Sequence, residues 1–124
     1  MAGATTVYVV DDDTGLRTAY AAALSRMGYQ VETASDGVEA QKLIAAKGKP
    51  TAILLDMLMP NLDGIGFLKE LRSDPANQDI KVVVASNFES MPEASELGVA
   101  KYVSKLEKNP DAVAAAIDEL LKAA

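Results

Sequence analysis

Three short runs, Val7–Val10, Thr51–Leu55 and Val82–Ala85, are rich in Val, Ile and Leu and carry apolar residues on both alternating faces. A strand that is apolar on both faces must be covered on both, so these runs belong at the centre of a sheet sandwiched between other layers. Two weaker strands are expected at Gln30–Ala34 and Ala100–Val103. Between the runs the apolar period changes to that of a helix. Leu16, Ala19, Tyr20, Ala23, Leu24 and Met27 fall on one stripe, stopped by Gly28. A second helix is expected over Val38–Ala46, ending near Gly48 and Pro50, and a third is marked by Ile65, Leu68 and Leu71 and halted by Ser73-Asp74-Pro75. A short one is expected within Pro92–Leu97, before Gly98. The last has Val113, Ile117, Leu120 and Leu121 on one face behind the start signal Asn109-Pro110-Asp111.

Five strands alternating with five helices predict an α/β fold, a doubly wound parallel sheet with helices on both faces and right-handed crossovers. At 124 residues the chain is expected to form one domain over 1–124, with no linker or internal repeat. Two absences narrow the chemistry. Without cysteine there is no thiolate nucleophile or disulfide framework, and without histidine there is no imidazole base or His-ligated metal. The net charge of −6 offers no basic stripe to displace counterions, so no nucleic-acid partner is expected. The longest apolar run, Ala112–Ile117, is far shorter than the roughly 20 residues of a membrane span. Residues 1–6 do not resemble a signal peptide, and a cytoplasmic protein is expected.

In doubly wound sheets, ligands gather outside the carboxyl ends of the strands. The first strand here runs into Asp11 and Asp12, the third into Asp56, the fourth into Ser86, and the fifth through Tyr102 to Lys105. Carboxylates from adjacent strands repel one another, and a hard cation such as Mg²⁺ relieves that repulsion. Lys105 adds a cation and Ser86 a hydroxyl donor, which together suit the oxyanion of a phosphoryl group beside an aspartate nucleophile. Asp13 reads differently: it or Thr14 can cap the first helix.

The motifs Val9-Val10-Asp11-Asp12-Asp13, Leu54-Leu55-Asp56-Met57-Leu58-Met59-Pro60-Asn61-Leu62-Asp63-Gly64, Val82-Val83-Val84-Ala85-Ser86 and Lys101-Tyr102-Val103-Ser104-Lys105, in this order, resemble a CheY-like two-component response regulator receiver domain. The resemblance spans roughly residues 5–122. It implies a flavodoxin-like (βα)5 fold with strand order 2-1-3-4-5. By the same resemblance, Asp56 is the phosphoacceptor, taking its phosphoryl group from a sensor histidine kinase or a phosphotransfer protein. Asp12 would be the direct Mg²⁺ ligand and Asp11 would act largely through water. Asp56 and the backbone carbonyl of Leu58 would complete the protein ligands. Ser86 and Lys105 take the catalytic hydroxyl and lysine places, and Ser86 with Tyr102 forms the switch. Three departures stand out. Leu106 follows Lys105 where the family usually has proline, the Ser86–Lys105 interval is a few residues short, and Asn87 replaces a small residue. Leu58 and Phe88 flank the expected path of hydrolytic water.

Two other functions compete. A haloacid dehalogenase-type phosphotransferase would use Asp11 as nucleophile. However, Gly15 stands where Thr or Val is usual, no acidic pair follows Lys105, and Asp56 would have no role. A non-phosphorylated receiver-like interaction module would share the fold and switch by binding alone. The reading that absorbs the whole set is a stand-alone signalling domain that catalyses only its own phosphorylation and dephosphorylation and signals by protein contacts.

Overall fold

The computed structural model describes residues 5–57, 59, 61–86, 96–105 and 109–122. Five parallel strands, β1 (Thr6–Val10), β2 (Gln30–Ala34), β3 (Ala52–Asp56), β4 (Lys81–Ser86) and β5 (Val99–Ser104), form one sheet in the order β2-β1-β3-β4-β5. The expected strand order and doubly wound architecture are both present. Helices α1 (Thr14–Arg26), α2 (Gly37–Lys47), α3 (Gly64–Ser73) and α4 (Pro110–Lys122) cover the sheet. The short helix expected within Pro92–Leu97 falls mostly on 87–95, outside the described residues, as do Leu58, Asn87, Phe88 and Leu106.

The period of two along each strand divides the core. Val7 and Val9 of β1, Ala52 and Leu54 of β3, and Val83 and Ala85 of β4 pack with Tyr20, Ala23 and Leu24 of α1 and with Val113 and Ile117 of α4. Their neighbours Tyr8, Val10, Ile53, Leu55, Val82 and Val84 pack on the other face with Ala40 of α2 and Phe67, Leu68 and Leu71 of α3. Both faces of the three central strands are buried, which is why their sequences show no polar alternation. Each fully buried Val, Leu or Ile contributes roughly 1.5–3 kcal/mol of transfer free energy, so register is strongly fixed. Met27 departs from the expected stripe: it is the C-cap of α1 and 42% exposed. Gly28 follows at φ +97°, in the left-handed region where a helix commonly ends on glycine.

Two features position the site. First, β4 and β5 pair as Val82↔Val99 but Val83↔Lys101, leaving Ala100 as an extra residue. This bulge brings Ser104 opposite Ser86, and the Lys105 amide donates to the Ser86 carbonyl at 3.0 Å. Without it, every later residue of β5 would slide by one and exchange faces. Second, at the opposite pole of the sheet, the Arg72 guanidinium donates to the carbonyls of Asn77 (2.6 Å), Ile80 (2.8 Å), Leu97 (2.8 Å) and Gly98 (3.1 Å). One side chain thus ties the turn before β4 to the turn before β5.

Candidate functional site

The carboxyl ends of β1, β2 and β3 carry more aspartates than one site needs, and local hydrogen bonding sorts them. Asp13, Asp36 and Asp63 are N-caps: their side chains accept from the amides of Leu16 (3.0 Å), Glu39 (2.8 Å) and Gly66 (2.8 Å) at the starts of α1, α2 and α3. Each satisfies an amide that the first helical turn leaves without an intrahelical partner. Of the two capping candidates, Asp13 and Thr14, Asp13 takes the role.

Asp11, Asp12 and Asp56 do something else. One carboxylate oxygen from each lies within 4.8 Å of the other two. The pairing of β1 with β3 ends at Val10↔Leu55, so the next residues of each strand, Asp11 and Asp56, emerge side by side. Asp11 and Asp56 are buried, at 2% and 7% exposure, whereas Asp12 is exposed. The Lys105 ammonium stands between the two buried acids, 2.9 Å from Asp11 Oδ2 and 3.3 Å from Asp56 Oδ1. Burial pulls the Lys105 pKa down, but hydrogen bonds and charge from Asp11 and Asp56 outweigh it, holding the ammonium above its ordinary value. Lysine therefore remains a cation at any physiological pH.

The rest of the surroundings hold this group in place. Asp11 Oδ1 accepts from the Asp13 amide at 2.9 Å, and its carbonyl accepts from Arg17 Nη1 at 2.9 Å. Tyr20 of α1 is buried beside the cluster. Burial raises the pKa of its hydroxyl, Lys105 lowers it, and the charges of Asp11, Asp56 and Asp13 raise it further. Ser86 is buried at the end of β4 in register with Ser104, and Tyr102 is half-buried opposite Val84, packed against the α2/α3 side of the core. Leu58, the expected carbonyl ligand, lies outside the described residues.

Three carboxylates offering oxygen donors within 4.8 Å fit a small hard cation: the donors are all oxygen and the set is anionic even with Lys105 counted. Arg17, Asp36 and Asn61 were not singled out from sequence, although all three support this end of the sheet. Asp36 was detectable as Asp-x-x-Glu before an apolar helical pattern, a capping signal. Asn61 sits at φ +66°, a conformation that Asn tolerates better than most residues.

Comparison with known proteins agrees with this geometry. Residues 7–118 match the family model described as "Response regulator receiver domain". Over 102 residues the chain is 42% identical to "Response regulator MprA" of Mycobacterium sp. (strain KMS) and 39% identical to its counterpart in Mycobacterium leprae (strain TN). Each match covers 80% of this chain and 43% of the relative, so the chain spans less than half the length of these curated relatives. Among solved structures, chemotaxis response regulator CheY4 of Vibrio cholerae superposes with a TM-score of 0.85 at 27% identity, over 94% of this chain and 98% of that one. The Francisella response regulator 1452 receiver domain gives 0.82 at 29% identity, over 95% and 97%.

Proposed function

The chain belongs to the response regulator receiver domain family of two-component signalling, and from that premise we propose that Asp56 is its phosphoacceptor. The observation that carries this reading is the convergence of Asp11, Asp12 and Asp56 at the carboxyl ends of β1 and β3, with the Lys105 ammonium from the end of β5 between Asp11 and Asp56. An Asp56 carboxylate oxygen attacks the phosphorus of the donor. The P–N bond of a phosphohistidine, or the P–O bond of a small acyl phosphate, breaks, and its electron pair leaves with the donor. The product is an aspartyl phosphate on Asp56. Because residues 1–124 contain no histidine, a phosphohistidine donor lies outside them, in a sensor histidine kinase or phosphotransfer protein.

Lys105 donates to a phosphoryl oxygen and balances charge that builds up in the transition state. Ser86, at the end of the neighbouring strand, supplies a hydroxyl donor. Asp11, Asp12 and Asp56, with the Leu58 carbonyl, would hold Mg²⁺, which supplies charge neutralisation for the phosphoryl oxygens. Ser86 and Tyr102 would then carry the phosphorylated state to the protein surface. The reading makes 1–124 a single signalling unit that works in the cytoplasm through protein contacts, without a nucleic-acid or membrane partner of its own. Its only catalysis is its own phosphorylation and dephosphorylation. The dehalogenase-type alternative with Asp11 as nucleophile and the unphosphorylated module are not favoured by the family match.

The test is labelling with a small acyl phosphate and Mg²⁺, with the modified residue located by borohydride reduction. Label on Asp56 that disappears in Asp56→Asn, with the fold intact, is expected. Label on Asp11, or label that persists without metal, overturns the assignment.

A further inference from the structure

We propose that Asp36 and Asn61 form a positioning pair that fixes the Asp56 backbone, and with it the metal-binding carboxylates, from outside the site. The proposal rests on the metal site just described. Asp36, at the start of α2, is buried and uses both carboxylate oxygens. Oδ1 caps α2 through the Glu39 amide at 2.8 Å, and Oδ2 accepts from Asn61 Nδ2 at 2.7 Å. Asn61 lies in the chain leaving β3 and is the only non-glycine residue at positive φ among the described residues. Such a conformation is disfavoured for a residue that carries a Cβ and persists where surrounding contacts over-determine it.

A second contact runs beside the first. The Gly37 amide donates to the Leu62 carbonyl at 3.1 Å, and a Cβ on Gly37 would stand only 2.6 Å from that oxygen. The turn before α2 and the chain before α3 therefore touch backbone to backbone. The next residues pass the constraint on. Asp63 caps α3, and the Gly64 amide donates to the Met57 carbonyl at 3.1 Å. The first turn of α3 rests so closely on the strand end that a Cβ on Gly64 would lie 2.5 Å from the Asp56 carbonyl oxygen. The path from Asp36 through Asn61 and Gly64 to Asp56 is continuous, and none of the first three belongs to the carboxylate cluster. Loss of the Asn61 amide frees the segment that presses on Asp56. The effect falls on the relative placement of Asp56 and Asp11, which metal binding requires.

The experiment exchanges the two side chains. Asn61→Gly keeps the backbone conformation accessible but removes the amide, and Asn61→Asp sets a carboxylate against Asp36. Each is expected to weaken Mg²⁺ binding, measured by calorimetry, about tenfold, as changes to residues that orient metal ligands do. Asn61→Asp combined with Asp36→Asn restores a donor and an acceptor, and Asn still caps α2, so binding should recover. In metal-free protein, hydrogen exchange at the Gly64 amide should quicken in both single variants and slow again in the exchange. Circular dichroism keeps every measurement within the fully folded range, which separates placement from stability. Unchanged Mg²⁺ affinity in the single variants, or no recovery in the exchange, overturns the proposal. Acyl phosphate labelling of the unaltered protein tests the Asp56 reading separately, since the Mg²⁺ titration does not depend on phosphoryl transfer.

Discussion

Replacing Lys105 by Met removes the cation that stands between Asp11 and Asp56 and keeps most of the side-chain volume. Asp11 and Asp56 then face each other within 4.8 Å, and two unit charges at that separation repel by about 3.5 kcal/mol at an effective dielectric near 20. Removing one partner from a buried ion pair costs about 3–5 kcal/mol by the same logic of an uncompensated charge. A destabilisation of about 3 kcal/mol is expected in metal-free protein at neutral pH. With an unfolding entropy near 2.1 cal/mol/K per residue over 124 residues, that lowers the melting temperature by about 10 °C.

The same argument fixes how the deficit must respond to conditions. In strong acid carboxylates are neutral, so the gap between variant and parent should narrow at low pH. Mg²⁺ supplies positive charge in place of the ammonium, so the variant should gain more from millimolar Mg²⁺ than the parent does. The assay is thermal unfolding by circular dichroism across pH, with chelator and with Mg²⁺. A loss that persists unchanged at low pH and in Mg²⁺ would be a packing defect, and would falsify the electrostatic account. Labelling by an acyl phosphate should also slow by about a hundredfold, the usual cost of removing a donor to a developing oxyanion.

Other outcomes follow from single contacts. The Tyr29 hydroxyl donates to Asp118 Oδ1, and burial first, then this hydrogen bond and the Asp118 charge, push the Tyr29 pKa up to about 12. A raised pKa stabilises the fold below the unfolded value near 10, and that contribution is lost as pH rises from 10 toward 12. The bond to Tyr29 leads the causes that hold Asp118 below its ordinary range, a contribution present above pH 4 and lost in acid. Tyr29→Phe should therefore flatten both limbs of the stability profile measured by urea unfolding. Gly64→Ala forces a Cβ within 2.5 Å of the Asp56 carbonyl oxygen, and should cost about 1–3 kcal/mol in melting experiments while weakening Mg²⁺ binding. Arg72→Lys cannot reach four carbonyls with one ammonium, so unfolding should show a loss of about 1–3 kcal/mol despite the retained charge. Leu54→Ala, in the fully packed α1/α4 side of the core, should cost about 2–5 kcal/mol.

The fold was legible because the three central strands leave no choice: apolar residues on both faces demand two covering layers, and the helical stripes between them supply those layers. The edges were less legible. β5 begins one residue earlier and ends one later than its apolar core suggested, because an edge strand gains only half the burial signal. The bulge at Ala100 left no mark that alternation alone could show, yet it decides which face Tyr102 and Val103 take and where Lys105 arrives. Met27 fitted the helical period and is exposed, since periodicity places a residue on a face but does not say where the covering sheet stops.

At the site, the sequence marked where carboxylates accumulate but could separate them only in part. Asp after a strand is what a helix cap requires and also what a cation site requires, and Asp11 and Asp13 stand two residues apart. The division comes from the chain direction. Asp13 turns back to its own helix and accepts from Leu16. Asp11 still continues the strand line and meets Asp56 and Lys105 across the sheet. Lys105 changes the physical picture most. Sequence alone brings three acids and a lysine to one rim without saying which of the charges meet. In the folded chain the lysine already lies between the two buried ones, so the metal-free fold is internally compensated for part of its charge. A metal held by these carboxylates, or a phosphoryl group on Asp56 as proposed, would alter that compensation. On the proposed reading, a phosphoryl group on Asp56 would draw Lys105 toward its own oxygens, and the position of β5, with Tyr102 three residues before the lysine, would then depend on the state of Asp56.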